Sequence, residues 1–302
     1  MFPIIPANSV TASGNDEGIF GFGYCDSNQS MTNLVSNTGV VATDTAGVGT
    51  ARRALAACEY GGDKGIFGYG GTPSVVSMTN LVSNAGVVGT DVTGVGTARN
   101  RPAACSYGED KGIFAYGYGA DWYSVSNLVS NTGVVSANVT GVGSDTESPS
   151  GCEYGGDKGI IGYGQTRGSV WSAITHLVSN TGVVGANVTG VGTPRWHLAA
   201  ARYSSDKGIF GYGQKTGAVF QSVTNLISNT GVAASDTTGV GTERKELAAT
   251  QYGSDKAIFA YGVNSSATDV SMSNLVSNAG VVASDVTGVG SARFALAACS
   301  YN

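Results

Sequence analysis

Side chains that could do chemistry are scarce in this 302-residue chain, which has two histidines, five cysteines and only 12% charged residues. The cysteines come closest to a pattern. Cys58, Cys105, Cys152 and Cys299 occupy one place in a repeat, where other copies carry Ala201 and Thr250. A disulfide needs two Cα atoms within about 7 Å, a separation not expected of equivalent positions in different copies. Buried free thiols are therefore expected, and the odd total of five agrees. Asp44, Asp91, Asn138, Asn187, Asp236 and Asp285 recur in segments of the type "TDVTGVGT". Calcium requires several such oxygens converging on one point, so one per copy reads as a capped turn. The sequon "NVT" at Asn138 and Asn187 belongs to the same repeat template. His176 and His197 stand in different contexts, with no nucleophile elbow and no Ser-His-carboxylate set. "GIFGYG" lacks the Lys-Ser/Thr step into a helix that a phosphate loop needs. These residues point to no enzyme, no metal and no cofactor.

The elements that must position them are copies of one unit. Equivalent isoleucines stand at Ile19, Ile66, Ile113, Ile160, Ile209 and Ile258, in steps of 47, 47, 47, 49 and 49 residues. Within the second copy, "LAACEYG" and "KGIFGYG" are short apolar runs around a "GD" turn. "SVVSMTNLVS" then alternates, "NAG" turns, and "VVGTDVTGVG" closes the unit. Period-two alternation punctuated by Gly, Asn and Asp predicts antiparallel strands and tight turns, and no segment carries a helical period. A unit of roughly 40–50 residues with four strands is the signature of a propeller blade. The fold expected is all-β: a six-bladed β-propeller of four-stranded antiparallel blades over residues 15–302, preceded by an arm over residues 1–14. The ends support closure. "EGIFGFG" (Glu17–Gly23) is a second strand without a regular first one, and the final "LAACSYN" is a first strand without a second. Pairing Leu296–Tyr301 with Gly18–Gly23 completes the sixth blade and removes two open edges. No apolar run approaches a membrane span, so no membrane insertion is expected. "MFPIIPANSV" shows no basic segment of a secretion signal, and a net charge of −5 gives no pull towards nucleic acid.

"ARRALAACEYGGDKGIFGYGG" (Ala51–Gly71) resembles the kelch repeat, with its Arg-led apolar strand, Gly-Asp-Lys turn and glycine-ended second strand. The resemblance covers about residues 15–302 and implies a propeller latched by the same split blade. It departs in the fourth strand, where "GVG" replaces the kelch Trp, and the marks of WD40 blades are missing. Copper radical oxidases use kelch-like propellers and, by that resemblance, need Tyr, Cys and two His together; this chain lacks the set.

Differences between copies concentrate between second and third strands. Trp122, Tyr123, Arg167, Trp171, Lys215 and Phe220 appear there, and aromatics at loop tips are typical recognition residues. The fourth-to-first connections share that face and carry Arg52, Arg53, Arg99, Arg101, Arg195, Arg244 and Arg293. Copy four instead offers Asp145 and Glu147. The face expected is a ring of arginines with an acidic gap and several aromatics, with Arg52, Arg99, Arg195, Arg244 and Arg293 as binding residues. It suits an acidic peptide, a sulfated or sialylated glycan, or another subunit. Units of this type are also similar to predicted structural proteins of marine tailed phages. That resemblance implies a virion structural or host-attachment protein, made in a host cytoplasm, whose partners are other virion subunits or a host surface glycan or protein. Two other readings are a cellular kelch-type module that binds an acidic peptide, and a propeller lectin. Loops that differ between copies weigh against one sugar pocket per blade.

Overall fold

The computed structural model describes residues 15–302; the arm expected over residues 1–14 lies outside them. No helix occurs among the described residues. Each copy forms an antiparallel sheet of three regular strands. In the second copy these are Ala56–Tyr60, Lys64–Gly68 and Thr79–Val82. The first turn is made by Gly61 and Gly62, both at positive φ (66° and 80°), a region glycine enters at the least cost. The equivalent first strands of the next four copies are Ala103–Tyr107, Ser150–Tyr154, Ala199–Tyr203 and Ala248–Tyr252. The last sheet joins the chain ends: Ala297–Tyr301 pairs with Glu17–Cys25 in the register Ile19↔Cys299, and Glu17–Cys25 pairs with Ser27–Val35. The pairing expected from the split unit is thus present.

A regular fourth strand is not. After the Ser-Asn-x-Gly turn the chain touches the third strand only at isolated bridges, Val82↔Val88 and Thr79↔Val92 in the second copy. Two local causes are visible. Ser83 Oγ accepts the amides of Ala85 and Val87, so a side chain takes bonds that a ladder would use. Further on, Gly96 turns the chain at φ 77°.

Successive sheets are tied together in repeated circuits. Each first strand packs beside the first strands of its two neighbours, and Ala297–Tyr301 packs beside both Ala248–Tyr252 and Ala56–Tyr60. Residues from all six first strands, among them Ala57, Ala104, Gly151, Ala200, Ala249 and Ala298, line one cavity. The Asp-Lys turns form a second circuit. Gly61, Gly108 and Gly155 donate their amides to the carbonyls of Asp110, Asp157 and Asp206, each in the following copy. Ser204, Gly253 and Asn302 do the same to Asp255, Asp16 and Asp63, and the last two links cross between the chain ends.

The recurring Asp/Asn residues make a third circuit, which reading them as capped turns inside one copy did not anticipate. Asp91 accepts from the amide and hydroxyl of Thr50 in the preceding copy (3.0 and 2.6 Å) and from Asn80 (2.9 Å). The same clamp joins Thr97 to Asn138, Ser144 to Asn187, Thr193 to Asp236, Thr242 to Asp285 and, across the ends, Ser291 to Asp44. Burial opposes ionisation of Asp91, but the bonds from Thr50 and Asn80 outweigh it and hold the carboxyl below its ordinary range. The clamp therefore contributes in full above about pH 4 and is lost as pH falls through the lowered value.

The core lies between sheets: Cys58, Ile66 and Tyr69 pack against Ala104, Phe114 and Val129 of the next copy. The cysteines are free, and all but Cys25 are buried. A Cβ placed on Gly112 would lie 2.5 Å from Cys58 Sγ, and one on Gly208 2.6 Å from Cys152 Sγ. These glycines make room for the neighbouring sheet's thiol. Where the first strand carries Ala201 instead of Cys, the next sheet carries Ala257 instead of Gly, so the chain already contains the compensated pair. Overpacking a well-filled core costs about 1–3 kcal/mol. Gly112→Ala is expected to cost that much, and adding Cys58→Ala to recover most of it; thermal melts of the four proteins of this double-mutant cycle measure the coupling. Additive losses would refute the complementarity.

Candidate binding site

Connections and second-to-third loops meet at one end of the sheets, as the sequence implied. Arg53 bridges to Gly71, Asn100 to Tyr118, Trp196 to Gln214 and Phe294 to Tyr24. Thr146–Glu147 pairs with Gln165–Thr166, and Arg244–Lys245 with Val263–Asn264. From the repeat isoleucine to the Thr or Ser before the Asn/His-Leu pair of the third strand there are 13 residues in the first three copies (Ile66 to Thr79) and 15 in the last three (Ile160 to Thr175). The two added residues accompany short hairpins, such as Gln165–Thr166 with Val170–Trp171 and Gln214–Lys215 with Val219–Phe220.

The arginine ring expected on this face is a correction. Arg52, Arg99, Arg195, Arg244 and Arg293 have no solvent exposure. Arg195 donates to the Tyr212 carbonyl (Nε, 2.8 Å), the Thr193 carbonyl (Nη1, 3.2 Å) and Asn225 Oδ1 (Nη2, 2.6 Å). Its guanidinium lies 4.7 Å from the centre of the Tyr163 ring in the preceding copy. Arg52, Arg244 and Arg293 repeat this arrangement with Asn80, Asn274 and Asn33. Burial lowers the Arg52 pKa to about 10, still far above neutrality, so the group stays charged. A flat, five-donor cation stitches two copies together from inside and is out of reach of a ligand. Copy four shows the rule by its exception: Thr146 takes the place of Arg and His176 that of Asn. The His176 ring fills the space, 5.0 Å from the Tyr116 ring, and burial holds its pKa below the ordinary value.

The loop residues remain on the face. Arg167 is exposed and bridges Asp121 and Asp145 (2.8 and 3.1 Å). Trp122, Tyr123, Trp171, Lys215 and Phe220 are half-buried. Trp122 folds edge-on against Tyr118 (5.0 Å), and Phe220 lies under the Lys245 ammonium (5.0 Å). Trp171 stacks towards Trp196, which stacks on His197 (6.3 and 4.0 Å). Expecting Trp122, Trp171, Arg99 and Arg195 to share an exposed surface fails for the arginines, because the backbone turns their side chains inward.

At the centre of the face is a group that sequence reasoning did not assemble. Ala54, Arg101, Ser148, His197, Glu246 and Ala295 are equivalent positions, all with φ between 52° and 55°. Amide-to-carbonyl bonds run from Arg101 to Ala54, Ser148 to Arg101, Glu246 to His197, Ala295 to Glu246 and Ala54 to Ala295. Backbone here is uniform while the side chains differ at every step but one. Arg101 pairs with Glu147 (2.6 Å) and Glu246 (3.4 Å), and His197 Nε2 lies 3.3 Å from Glu246. Burial, with Arg101 and Lys245 adding, holds His197 well below its ordinary pKa, so it is neutral at neutral pH. Burial raises Glu246, while Arg101, Lys245 and Arg53 pull it down. Beside this group opens a cavity of about 340 Å³ lined by Arg53, Asn100, Arg101, Glu246, Phe294 and the loop Gly71–Val75. A smaller hollow of about 80 Å³ reaches Ser148 and His197. The signal that could have found it is one repeat position carrying Ala, Arg, Ser, His and Glu before an almost uniform Leu or Pro.

A second polar group lies further along the first strands, where Arg202 pairs with Glu153 (2.7 Å) and Gln251 (2.6 Å) and Ser300 bonds Glu59. Burial pushes Glu153 up to about 7 against the pull of Arg202. No group of three or more His, Cys, Asp or Glu that could hold a metal ion occurs among the described residues.

The chain is an all-β protein of repeated small antiparallel sheets. No protein-family model and no curated protein matches it.

Proposed function

We propose that the chain is a closed six-bladed β-propeller that serves as a non-enzymatic binding and assembly module. Its setting, following the similarity of its units to predicted phage structural proteins, is a virion, as a structural or host-attachment subunit. One observation carries the binding reading. The contacts that hold the copies together are repeated almost without change, including the end-to-start clamp of Ser291 on Asp44, whereas the second-to-third loops and the positions equivalent to Arg101, which share one face, differ from copy to copy. On that face one position holds Ala, Arg, Ser, His and Glu over a uniform backbone, so its chemistry does not repeat around the copies. The closed reading is supported by circuits that run through all six copies and return from the last to the first.

Two substitutions on each face test this. Trp171→Ala with Lys215→Ala alters the loop face, and Asn84→Ala with Asn180→Ala alters exposed turns on the opposite one. Particles purified from the source host are expected to contain the chain by mass spectrometry. The loop-face variant is expected to be excluded from particles, or to lose attachment to host cells at least about tenfold, as expected when interface anchors are truncated. Turn variants retaining full function and loop variants losing it support the reading. Absence from particles overturns the virion setting, and the reverse pattern of variants overturns the choice of face.

A further inference from the structure

We infer that the cavity between Arg53, Asn100 and Phe294 is a single site for a carboxylate-bearing sugar. The inference rests on reading the loop face as the binding face. Its volume, about 340 Å³, lies within the range of small-ligand sites, roughly 300–1,000 Å³.

Three features define what fits. First, the charge around it is positive. Two cations, Arg53 and Arg101, and one carboxylate, Glu246, line the cavity, and Lys245 and Glu147 act on the same group from behind it. Arg101 is committed to Glu147 and Glu246, whereas the exposed Arg53 guanidinium makes no side-chain hydrogen bond among the described residues and rests 4.5 Å over the Tyr24 ring. A planar guanidinium resting over an aromatic ring, with its N–H groups uncommitted to other side chains, is suited to grip a carboxylate with two parallel bonds. Second, hydrogen-bonding capacity is unspent. Asn100 lines the cavity and its Oδ1 has no donor, so turning this amide towards a sugar hydroxyl pairs an acceptor otherwise left without a partner. Third, Phe294 lines one wall and packs on Tyr24 at 5.5 Å, giving an apolar surface for the C–H face of a pyranose ring. The combination occurs once per chain, because the positions equivalent to Arg53 hold Asn100, Glu147, Trp196, Lys245 and Phe294.

Titration calorimetry on the full chain tests the site with methyl β-glucuronide, its neutral counterpart methyl β-glucoside, and acetate. The glucuronide is expected to bind saturably with one site per chain, at least about tenfold more tightly than the glucoside or acetate. Arg53→Ala and Arg53→Gln should each lose at least about tenfold and melt like the parent, Asn100→Ala should weaken binding, and Asn180→Ala, in an exposed turn on the opposite face, should leave it unchanged. No glucuronide binding at millimolar concentration, equal binding of the glucoside, acetate binding as well as the sugar acid, or insensitivity to Arg53→Gln would each overturn the assignment. Particle or cell attachment that depends on Trp171 and Lys215 while no sugar acid binds would leave the face standing and remove only this site.

Discussion

Replacing Arg195 by Ala is expected to destabilise the protein by about 4 kcal/mol or more, near the upper end of single substitutions. The side chain is wholly buried, and removing it strips donors from the carbonyls of Tyr212 and Thr193 and from Asn225 Oδ1. Each buried acceptor left without a partner costs about 1–3 kcal/mol, and the space once filled by a guanidinium against Tyr163 becomes a cavity, which adds to the loss. Arg195→Lys keeps the charge but offers one compact donor group in place of the planar fork, so an intermediate loss is expected. Arg167→Ala is the comparison: that guanidinium is exposed and its partners are surface carboxylates, so its melting temperature should match the parent. Chemical denaturation of the three variants measures the order. If Arg195→Ala and Arg167→Ala melt alike, the buried arginines are not structural.

How much of this was legible depended on whether a residue's role was local. The strands and turns could be read from Gly, Asn and Asp at fixed offsets, since a positive φ at Gly61 or Gly86 is a local demand. The split sheet could be read as well, because an unpaired first strand and an unpaired second strand are complementary by pattern. Arg52 and its equivalents were misplaced because an arginine in a polar connection reads as solvent-facing, and only the fold turns it inward over the preceding copy's aromatic ring. Yet the sequence held a clue in copy four, where Thr146 and His176 replace the Arg and the Asn together, as partners do. The Thr50–Asp91 clamp was hidden for another reason. In a near-perfect repeat, a bond to the same copy and a bond to the next leave the same pattern. Ala201 with Ala257 breaks that degeneracy for the cysteine contact, because each sits in a different copy. The mouth group of Arg101, Ser148, His197 and Glu246 escaped notice because its members are about 47 to 49 residues apart, and meet only when the first strands stand side by side.

The second large effect concerns the chain ends. Ala297–Tyr301 pairs with Glu17–Gly21 over five residues in register; Cys299 and Tyr301 are buried against the second copy and Leu296 against the sixth. Burying a large apolar side chain contributes roughly 1.5–3 kcal/mol, so losing this strand removes several kcal/mol, a substantial part of the 5–15 kcal/mol that typically holds a domain folded. It also uncovers the edge of Glu17–Cys25 and the neighbouring faces of two sheets. The most direct test of the closed six-copy body is a thermal melt of the chain truncated after Phe294, beside the full-length protein. Closure through the C-terminal strand predicts a fall of more than about 10 °C or failure to fold, with restoration when a synthetic peptide spanning residues 295–302 is added in excess. A truncated chain that melts at the full-length temperature would contradict it.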